Sequence, residues 1–255
     1  PPSLQAAVHD HASAPVSEGE SGAIVHQLTA PGRPVLYLKH GAEQIARDIV
    51  SEFARLDWLA DRLPVARVRH FVHTTQAAWL LTDAVAGQSA YSCLVEQPER
   101  GADIVEELVR FMRMIHGLPI TDCPFHAGHR LRMADAWRNV TAGRVDTDDF
   151  DEARRGWTAE QVRDRLEAQL PPSFAQVVTH GDFTLDNVMM LDGRVTGCLD
   201  VGRVGVADPY QDLALLWNSL AEFGDGLQTA MFRAYGIDEH DERKLQFHLC
   251  LDELF

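Results

Sequence analysis

This sequence has few cysteines, no long apolar run and a shortage of positive charge, and each feature narrows what the protein can be. The four cysteines are widely separated and none lies in a C-x-x-C pair, so a zinc site is not expected. The same scarcity favours a reduced, cytoplasmic protein. No apolar run approaches the roughly 20 residues that cross a bilayer, and no signal-peptide pattern is present, so we expect no membrane association.

The charge balance is strongly acidic. With 38 acidic and 23 basic side chains the formal net charge is −15, which argues against nucleic acid as a partner because its phosphates would be repelled. A high net charge can serve solubility alone, or it can attract a polycationic ligand. Composition leaves both interpretations open, and nothing in the sequence indicates an obligate protein partner.

Hydrophobic periodicity divides the chain into a strand-rich part and a helix-rich part. Four short apolar segments predict strands, at 24–28, 34–39, 68–73 and 78–82. Apolar residues at helical spacing predict helices over 45–59 and 104–115. We therefore predict an α+β, bilobal protein-kinase-like fold, with a small antiparallel-sheet lobe over 1–85 and a larger, mainly helical lobe over 86–255. Kinases of this layout bind their nucleotide in the cleft between the lobes.

The helix-rich part also contains short strands. The segment 177–179 predicts one strand, and 187–191 with 195–199 predicts a hairpin, because Asp192-Gly193 between them is a strong turn signal. A further helix is predicted over 213–220.

The stretch HGDFTLDN at 180–187, together with Asp200, carries the strongest chemical signal. An Asp, an Asn five residues later and a second Asp after an apolar run are typical of phosphotransferases. Asp182 is then the catalytic base, and Asn187 and Asp200 are oxygen ligands for Mg²⁺. The alternative is that Asp182 and Asn187 are only turn residues.

Lys39 and Glu52 extend this signal upstream. Lys39 ends a predicted strand, and Glu52 follows thirteen residues later on the predicted helix. In a kinase such a lysine contacts the nucleotide phosphates and is held by a helix glutamate. A lone lysine would more simply be an ordinary strand-end residue, but its spacing to Glu52 and to the downstream motif favours the kinase interpretation.

A short glycine-containing loop, GESG at 19–22, precedes the first of these strands. Such a loop lets backbone N–H groups approach phosphates, so Ser21 and Gly22 are candidates for nucleotide binding. The loop lacks the third glycine of a full kinase loop, and a simple turn is an equally good interpretation.

Other polar residues near the motif are assigned structural roles. We expect His180 to hydrogen-bond locally and shape the loop, and not to ligate the metal of a hydrolase. Asp208 or Asp212 is expected to brace the same loop through its backbone N–H groups. Gly202 is expected to permit the backbone turn after Asp200.

Taken together, these segments resemble the aminoglycoside 3′-phosphotransferases, the neomycin and kanamycin resistance kinases. The resemblance extends from about residue 17 to the end of the chain. The segments that carry it are 19–22, 33–39, 52–56, 123–125, 146–152, 179–182, 200–212 and 251–255. Several of them belong to the substrate side, which protein kinases in general lack.

The resemblance implies an antibiotic-resistance kinase that transfers the γ-phosphoryl group of ATP, with Mg²⁺, to the 3′-hydroxyl of aminoglycosides such as kanamycin and neomycin. It implies that adenine binds backbone groups near Asp83 to Val85. The residues that it implies for aminoglycoside binding are Asp151, Glu152, Arg203, Glu222, Asp252, Glu253 and the carboxylate of Phe255. Converging carboxylates suit this substrate class, because its ammonium groups form charge-assisted hydrogen bonds.

Two alternatives are weighed against this interpretation. One is a kinase of the same fold that acts on a choline-like or sugar-like metabolite, although the acidic segments favour a polyamine acceptor. The other is an inactive, kinase-like binding protein, which should lack the lysine, the base or the metal ligands, and all of these are present. Asn218-Ser219 stand where family members carry an Arg-Asp pair, and Gly22 where one carries Asp, so the drug spectrum stays open.

Overall fold

The computed structural model describes residues 1–16 and 22–255, which form two compact units. Unit 1 comprises Pro1–Ser89 and Asn187–Arg203, and unit 2 comprises Ala90–Asp186 and Val204–Phe255. The helices are Pro2–Val8 (α1), Glu43–Leu59 (α2), Ala90–Glu96 (α3), Gly101–His116 (α4), His129–Thr141 (α5), Ala159–Ala168 (α6), Tyr210–Ser219 (α7), Asp225–Tyr235 (α8) and Glu242–Asp252 (α9). The strands are Ala12–Pro15 (β1), Ile24–Thr29 (β2), Leu36–Ala42 (β3), Val68–His73 (β4), Ala77–Asp83 (β5), Gln88–Ser89 (β6), Val177–Thr179 (β7), Val188–Leu191 (β8), Arg194–Cys198 (β9) and Gly205–Ala207 (β10).

Unit 1 is built on an antiparallel sheet in the order β1-β2-β3-β5-β4. The central strand β3 pairs with β2 on one side and, over its whole length, with β5 on the other. Leu4 of α1 is buried in one cluster with Leu28 of β2 and Leu81 of β5, which fastens α1 to the sheet. The four strands predicted for this part are confirmed, and β4 has the predicted bounds.

The helix α2 packs on this sheet because one of its faces is apolar. Ile49 and Leu59 are buried, and Phe53 stacks on Phe71 of β4 with 3.9 Å between ring centroids. Burial of each large apolar side chain contributes about 1.5–3 kcal/mol. The helix predicted over 45–59 is confirmed and begins two residues earlier.

A second sheet in unit 1 has the order β6-β8-β9. Strands β8 and β9 form the predicted hairpin around Asp192 and Gly193, whose φ angles are +53° and +74°. Two consecutive left-handed residues define a type I′ turn, which matches the twist of the flanking strands. Cys198 is buried in β9, and all four cysteines, which lie within the described residues, are thiols that form no disulfide.

Unit 2 is mainly helical, and α4 supplies much of its core. Its buried apolar residues recur at helical spacing and include Ile104, Leu108, Phe111, Met112 and Ile115. Strands β7 and β10 form a two-stranded antiparallel sheet in the same unit. The helix predicted over 104–115 and the strand predicted at 177–179 are both confirmed.

A further core in unit 2 joins α5, α6 and α9. Its buried members include Ala136, Phe150, Val162, Leu166, Phe247, Leu251 and Leu254. The helix α6 begins with a capping box, in which the Thr158 hydroxyl accepts from the Gln161 N–H and the Gln161 side chain accepts from the Thr158 N–H. Leu254 is fully buried in this core, whereas the neighbouring Phe255 is exposed.

Two local predictions are wrong. Lys39 does not end its strand, since β3 continues to Ala42. Gly202 does not provide the turn after Asp200. It lies in the 3₁₀ turn Val201–Arg203, and the left-handed conformation belongs to Asp200 itself, with φ of +48°.

The compact units differ from the predicted lobes at two places, and the first is that unit 1 extends from residue 85 to Ser89. The second is that the segment 187–203, which the prediction assigned to the second lobe, belongs to unit 1. The reason is strand pairing, because β8 pairs with β6 and Cys198 of β9 forms a bridge with Val65. The functional division into 1–85 and 86–255 stays a prediction. In the described ranges, no helix is both long enough and apolar enough to cross a membrane.

Candidate active site

Lys39 and two acidic partners form the charged centre of unit 1. The Nζ atom of Lys39 on β3 lies 2.9 Å from Oε2 of Glu52 on α2 and 2.7 Å from Oδ1 of Asp200. The side chains of Lys39 and Glu52 are only 18% and 14% exposed, whereas that of Asp200 is 51% exposed. The structure thus brings together the predicted pair Lys39 and Glu52, and adds Asp200 to it.

This setting fixes the protonation of Lys39. Burial disfavours the charged form of Lys39, but the carboxylates of Glu52 and Asp200 outweigh that cost and raise the pKa of its ammonium above the ordinary value. Lys39 is therefore a permanent cation at neutral pH. An ammonium group that stays charged and is partly exposed can form charge-assisted hydrogen bonds with anionic oxygen atoms, such as those of phosphate.

Asn187 directly precedes β8 and Asp200 follows β9 by two residues, so both lie at the end of the hairpin opposite its turn. The Leu199 N–H donates to the Asn187 carbonyl oxygen over 2.8 Å, which extends the ladder beyond the pair formed by Val188 and Cys198. Asp200 then adopts its left-handed conformation, which Asp tolerates better than most residues. The two predicted metal ligands therefore lie on neighbouring backbone segments.

The side chains of Asn187 and Asp200 offer the type of ligand atom, oxygen, that a magnesium ion prefers. One offers a neutral oxygen and the other an anionic oxygen, and Mg²⁺ is usually held by one or two such groups with phosphates and water completing its shell. Across residues 1–16 and 22–255, no cluster of three or more His, Cys, Asp or Glu side chains is arranged to hold a metal alone.

The loop that follows β7 is held through its backbone. Gly181 has a φ of +86°, which residues with a side chain rarely adopt. The N–H groups of His180 and Gly181 donate to the two carboxylate oxygens of Asp212 over 2.8 and 2.7 Å. Asp212 lies on α7 and is fully buried. Its two hydrogen bonds to the loop confirm the bracing role predicted for it.

His180 supports the loop from inside. Its buried ring accepts a hydrogen bond at Nδ1 from the Asp182 N–H over 3.2 Å. The Asp182 carbonyl oxygen in turn accepts from the Thr184 N–H over 3.0 Å. The predicted local role of His180 is confirmed. Both the N–H and the carbonyl group of Asp182 are hydrogen-bonded, and the residue as a whole is half-buried.

Asp208 does not brace this loop. Its carboxylate accepts from the N–H groups of Ala175 and Tyr210 and from Nζ of Lys244, over 2.7, 3.0 and 2.8 Å. It therefore ties the segment before β7 to α7 and α9. Of the two residues that the sequence offered for bracing, Asp212 is the one that does it.

Sequence reasoning missed the residues behind Asp212. Nε2 of His116, at the end of α4, lies 2.9 Å from Oδ2 of Asp212, and its Nδ1 lies 2.7 Å from the Tyr235 hydroxyl on α8. The hydrogen-bonded chain thus runs from α8 through α4 to α7. Its members lie far apart in sequence and share no motif, so no local pattern points to them.

Two of the predicted aminoglycoside-binding carboxylates are bound to a buried arginine. Arg154 places Nη2 2.8 Å from Asp151 and donates from Nε to Glu253 over 2.9 Å. Burial and the charge of Asp151 raise the pKa of Glu253 to about 7, against the opposing pull of Arg154. The structure brings the acidic loop and the C-terminus together, as expected, but with Arg154 between them.

The remaining predicted substrate residues have varied surroundings. Glu222 accepts a hydrogen bond from the Tyr91 hydroxyl over 3.0 Å. Glu152 forms an exposed ion pair with Arg155. Arg203 ends the 3₁₀ turn of unit 1, whereas the other candidates all belong to unit 2.

The last two candidates lie beside a second buried arginine. Oδ1 of Asp252 is 3.5 Å from Nη2 of Arg132. The guanidinium of Arg132 also lies over the ring of Phe255, 4.5 Å from its centroid. Arg132 is another residue that sequence reasoning missed.

The predicted adenine segment, Asp83 to Val85, follows the end of β5. The Asp83 N–H donates to the Arg67 carbonyl, and the Ala84 N–H donates to the Val35 carbonyl. The sheet therefore uses these two donors, and an adenine would have to use the N–H of Val85 or backbone carbonyls.

The loop predicted to approach the phosphates, 19–22, is described only at Gly22. This residue is exposed and has a φ of +65°, in the region that favours glycine. Ser21 lies outside the described residues.

Comparisons with known sequences agree with one another. The model of the phosphotransferase enzyme family matches residues 13–248. An aminoglycoside 3′-phosphotransferase of Escherichia coli is 48% identical over 238 residues, which cover 93% of this chain and 88% of that protein. One of Streptomyces fradiae is 40% identical, with 94% of each chain covered.

Solved structures give the same result. The crystal structure of an aminoglycoside 3′-phosphotransferase of type VIII has a TM-score of 0.88 and 36% identity, and covers 100% of this chain and 97% of that one. An aminoglycoside phosphotransferase from Streptomyces rimosus, in complex with ADP and streptomycin, has a TM-score of 0.85 and 28% identity, with 98% and 95% covered. These neighbours confirm the predicted α+β, kinase-like fold. Since the family model and these relatives each span nearly the whole sequence, the chain belongs to the aminoglycoside 3′-phosphotransferases of the phosphotransferase enzyme family.

Proposed function

We propose that this chain is an antibiotic-resistance kinase, which transfers the γ-phosphoryl group of ATP to the 3′-hydroxyl of aminoglycosides such as kanamycin and neomycin. The observation that carries the proposal is the contact of Lys39 with both Glu52 and Asp200. A kinase needs such a lysine to hold the nucleotide phosphates. The prediction of a cytoplasmic location rests on the use of ATP and on the reduced state of the four cysteines.

On the nucleotide side, Lys39 would bind phosphate oxygens and Glu52 would keep it in place. Asn187 and Asp200 would hold Mg²⁺, whose charge neutralises the phosphates during transfer. Because Glu52 is the less exposed of the two acidic partners, Lys39 keeps a counter-ion when Asp200 binds a metal. Ser21, Gly22, Asp83 and Val85 are proposed for the remainder of the nucleotide.

On the acceptor side, Asp182 would take the proton of the sugar hydroxyl. The hydroxyl oxygen forms a bond to the γ-phosphorus, the bond from that phosphorus to the β,γ-bridging oxygen breaks, and ADP leaves with the electron pair. The bonds from Asp212 and His180 to the loop backbone position Asp182 for this step. Each of these three bonds comes from a backbone N–H of the loop, so they fix the peptide groups that lead up to Asp182.

For the aminoglycoside, we propose the acidic residues of unit 2 as ammonium-binding groups. Asp151 and Glu253 share Arg154, so when both are ionised the three side chains carry one net negative charge. Glu152, Glu222, Asp252 and the terminal carboxylate of Phe255 add further negative charge, and Arg203 is proposed as an additional contact. Charge-assisted hydrogen bonds to several ammonium groups would give the site its specificity.

The test is consumption of ATP by the purified protein with kanamycin, followed by NMR assignment of the phosphorylated position. We expect turnover that depends on the drug and a product with phosphate on the 3′-oxygen. Turnover with a choline-like or sugar-like metabolite, and with no aminoglycoside, would instead support another small-molecule kinase of this fold.

The variant Asp182→Asn tests the catalytic base. We expect kcat to fall by about 10²–10⁴-fold, because an amide cannot accept the proton, while nucleotide binding persists. Asp192→Asn is a matched control at an exposed turn where Asn tolerates the left-handed backbone, and it should keep full activity. Unchanged kcat in Asp182→Asn would show that the base is another group.

A further inference from the structure

Arg132 is a buried cation with partners on two functionally different segments of unit 2. It lies in the first turn of α5 with only 5% of its surface exposed. Its Nη1 donates to the Gly181 carbonyl oxygen over 3.1 Å, and its Nη2 is 3.5 Å from Asp252. A buried charge is costly unless it is paired and hydrogen-bonded. The hydrogen bond to Gly181 and the ion pair with Asp252, which at 3.5 Å is longer than a hydrogen bond, offset part of this cost.

The first segment is the loop that carries Asp182. The Gly181 carbonyl belongs to the peptide group that joins Gly181 to Asp182, so the bond from Arg132 acts one peptide from the proposed base. The same carbonyl lies 3.4 Å from Nε2 of Gln211, whose Oε1 is 3.2 Å from Nδ1 of the buried His248. Asp212 holds the N–H groups of this loop, and Arg132 with Gln211 holds its carbonyl.

The second segment is the C-terminus. Asp252 and Phe255, which both contact Arg132, are residues proposed to bind the aminoglycoside. Another residue of α5, Asn139, donates to the Leu254 carbonyl oxygen over 2.9 Å. The helix α5 therefore holds the end of the chain at two points, and Arg132 connects one of them to the base loop.

We infer that Arg132 is a positioning residue that couples the aminoglycoside-binding C-terminus to the loop of the catalytic base. This inference rests on the proposed function. Substrate contacts at Asp252 and Phe255 would steady Arg132, which in turn steadies the peptide before Asp182. Arginine is suited to this task because its planar group can donate in two directions and lie over an aromatic ring at once, whereas a lysine ammonium cannot.

The kinetic test compares Arg132→Met and Arg132→Lys with Arg130→Met. Arg130 lies two residues away in the same helix turn but is exposed, so its loss controls for the change of charge. For Arg132→Met we expect the KM for kanamycin to rise about tenfold and kcat to fall about tenfold, with the KM for ATP within about twofold of wild type. Arg132→Lys should be intermediate, because it keeps the charge but not the planar group.

A purely structural role would give a different result. Partial unfolding lowers the concentration of active enzyme, and with it the apparent kcat, but it leaves the KM for kanamycin unchanged. The fraction of folded protein is measured independently by nucleotide-binding stoichiometry. If both Arg132 variants keep the wild-type KM for kanamycin after this correction, the coupling is absent. If Arg132→Met does not fold, the lysine variant decides the question.

A second measurement needs no catalytic activity. Carboxypeptidase A removes C-terminal aromatic residues, so the rate at which it releases Phe255 reports how firmly the chain end is held. We expect release at least about threefold faster in Arg132→Met than in Arg130→Met. Equal rates would overturn the role of Arg132 at the C-terminus. Inactivity of the wild type on every aminoglycoside would instead refute the proposed function while leaving this measurement intact.

Discussion

The group of charged side chains around Lys39 and the loop that carries Asp182 are held in place by different kinds of contact. In unit 1, Lys39, Glu52 and Asp200 are held by ion pairs between their own side chains. In unit 2, the loop of Asp182 is held through backbone N–H and carbonyl groups, by Asp212 on one side and Arg132 on the other. The two regions also differ in their acidic residues, since Asp200 is half exposed and Asp212 is fully buried.

This difference has a functional meaning. A half-exposed side chain such as that of Asp200 can exchange its ion-pair partner for a metal ion at little net cost near the surface. A backbone held by a buried carboxylate cannot, because unpaired buried donors are costly. The proposed nucleotide side can therefore exchange a partner at Asp200, whereas the loop of the proposed base is held in place.

The largest effect, on stability, is expected from removal of the buried carboxylate of Asp212. Asp212→Ala leaves the N–H groups of His180 and Gly181 and the ring of His116 without their acceptor. We expect the free energy of unfolding to fall by about 3–5 kcal/mol, the usual consequence of breaking a buried charged network. Denaturant titration measures it. Asp238→Ala, at an exposed loop position, is the control and should change stability by no more than about 0.5 kcal/mol.

A smaller and different effect is expected on the nucleotide side. Lys39→Met removes the cation that we assign to the phosphates, and a hydrogen bond to a charged group contributes about 1.5–3 kcal/mol. The dissociation constant for ATP, measured by calorimetry, should therefore rise about 10–100-fold. Lys244→Met is the matched control, because Lys244 pairs with Asp208 in unit 2. Equal losses of ATP affinity in the two variants would remove the distinction between the regions.

The smallest effect concerns pH. Burial lowers the pKa of His248 to about 3, so this ring stays neutral in the folded chain, whereas it gains a proton below about pH 6.5 when unfolded. Acid therefore favours the unfolded state, by about 1.4 kcal/mol per pH unit once pH is well below 6.5. Between pH 7 and 5, wild type should lose about 2 kcal/mol more stability than His248→Asn.

The control for this prediction is His240→Asn, which changes an exposed histidine of the same unit. It should lose stability with pH as wild type does. Parallel pH profiles for His248→Asn and wild type would mean that the ring behind the base loop takes up a proton without unfolding. The loop of Asp182 would then be held less rigidly than its hydrogen bonds to buried groups suggest.

The sequence predicts those parts of the fold that depend on local patterns. The apolar periodicity of α2 and α4 and the turn at Asp192 and Gly193 are local, and the structure confirms them. The helices α1, α3, α8 and α9 were not predicted from their patterns, and α9 shows why: nearly all of its second half is buried, so no polar face marks its period.

The site was only partly predictable for a related reason. Lys39, Glu52, Asp182, Asn187 and Asp200 lie at spacings that the chemistry of phosphoryl transfer makes recognisable. The residues behind them, such as His116 and Arg132, come from distant helices, and their roles arise only when the helices pack. The acidic segments were visible in the sequence, but the arginine that lies between Asp151 and Glu253 was not.

The pairing of Lys39 has a chemical consequence. Lys39 is one of two lysines in the sequence, and the other, Lys244, donates to Asp208. Acylating reagents react with the free amine, and the raised pKa of Lys39 keeps that form scarce. A general amine reagent should therefore modify Lys39 slowly.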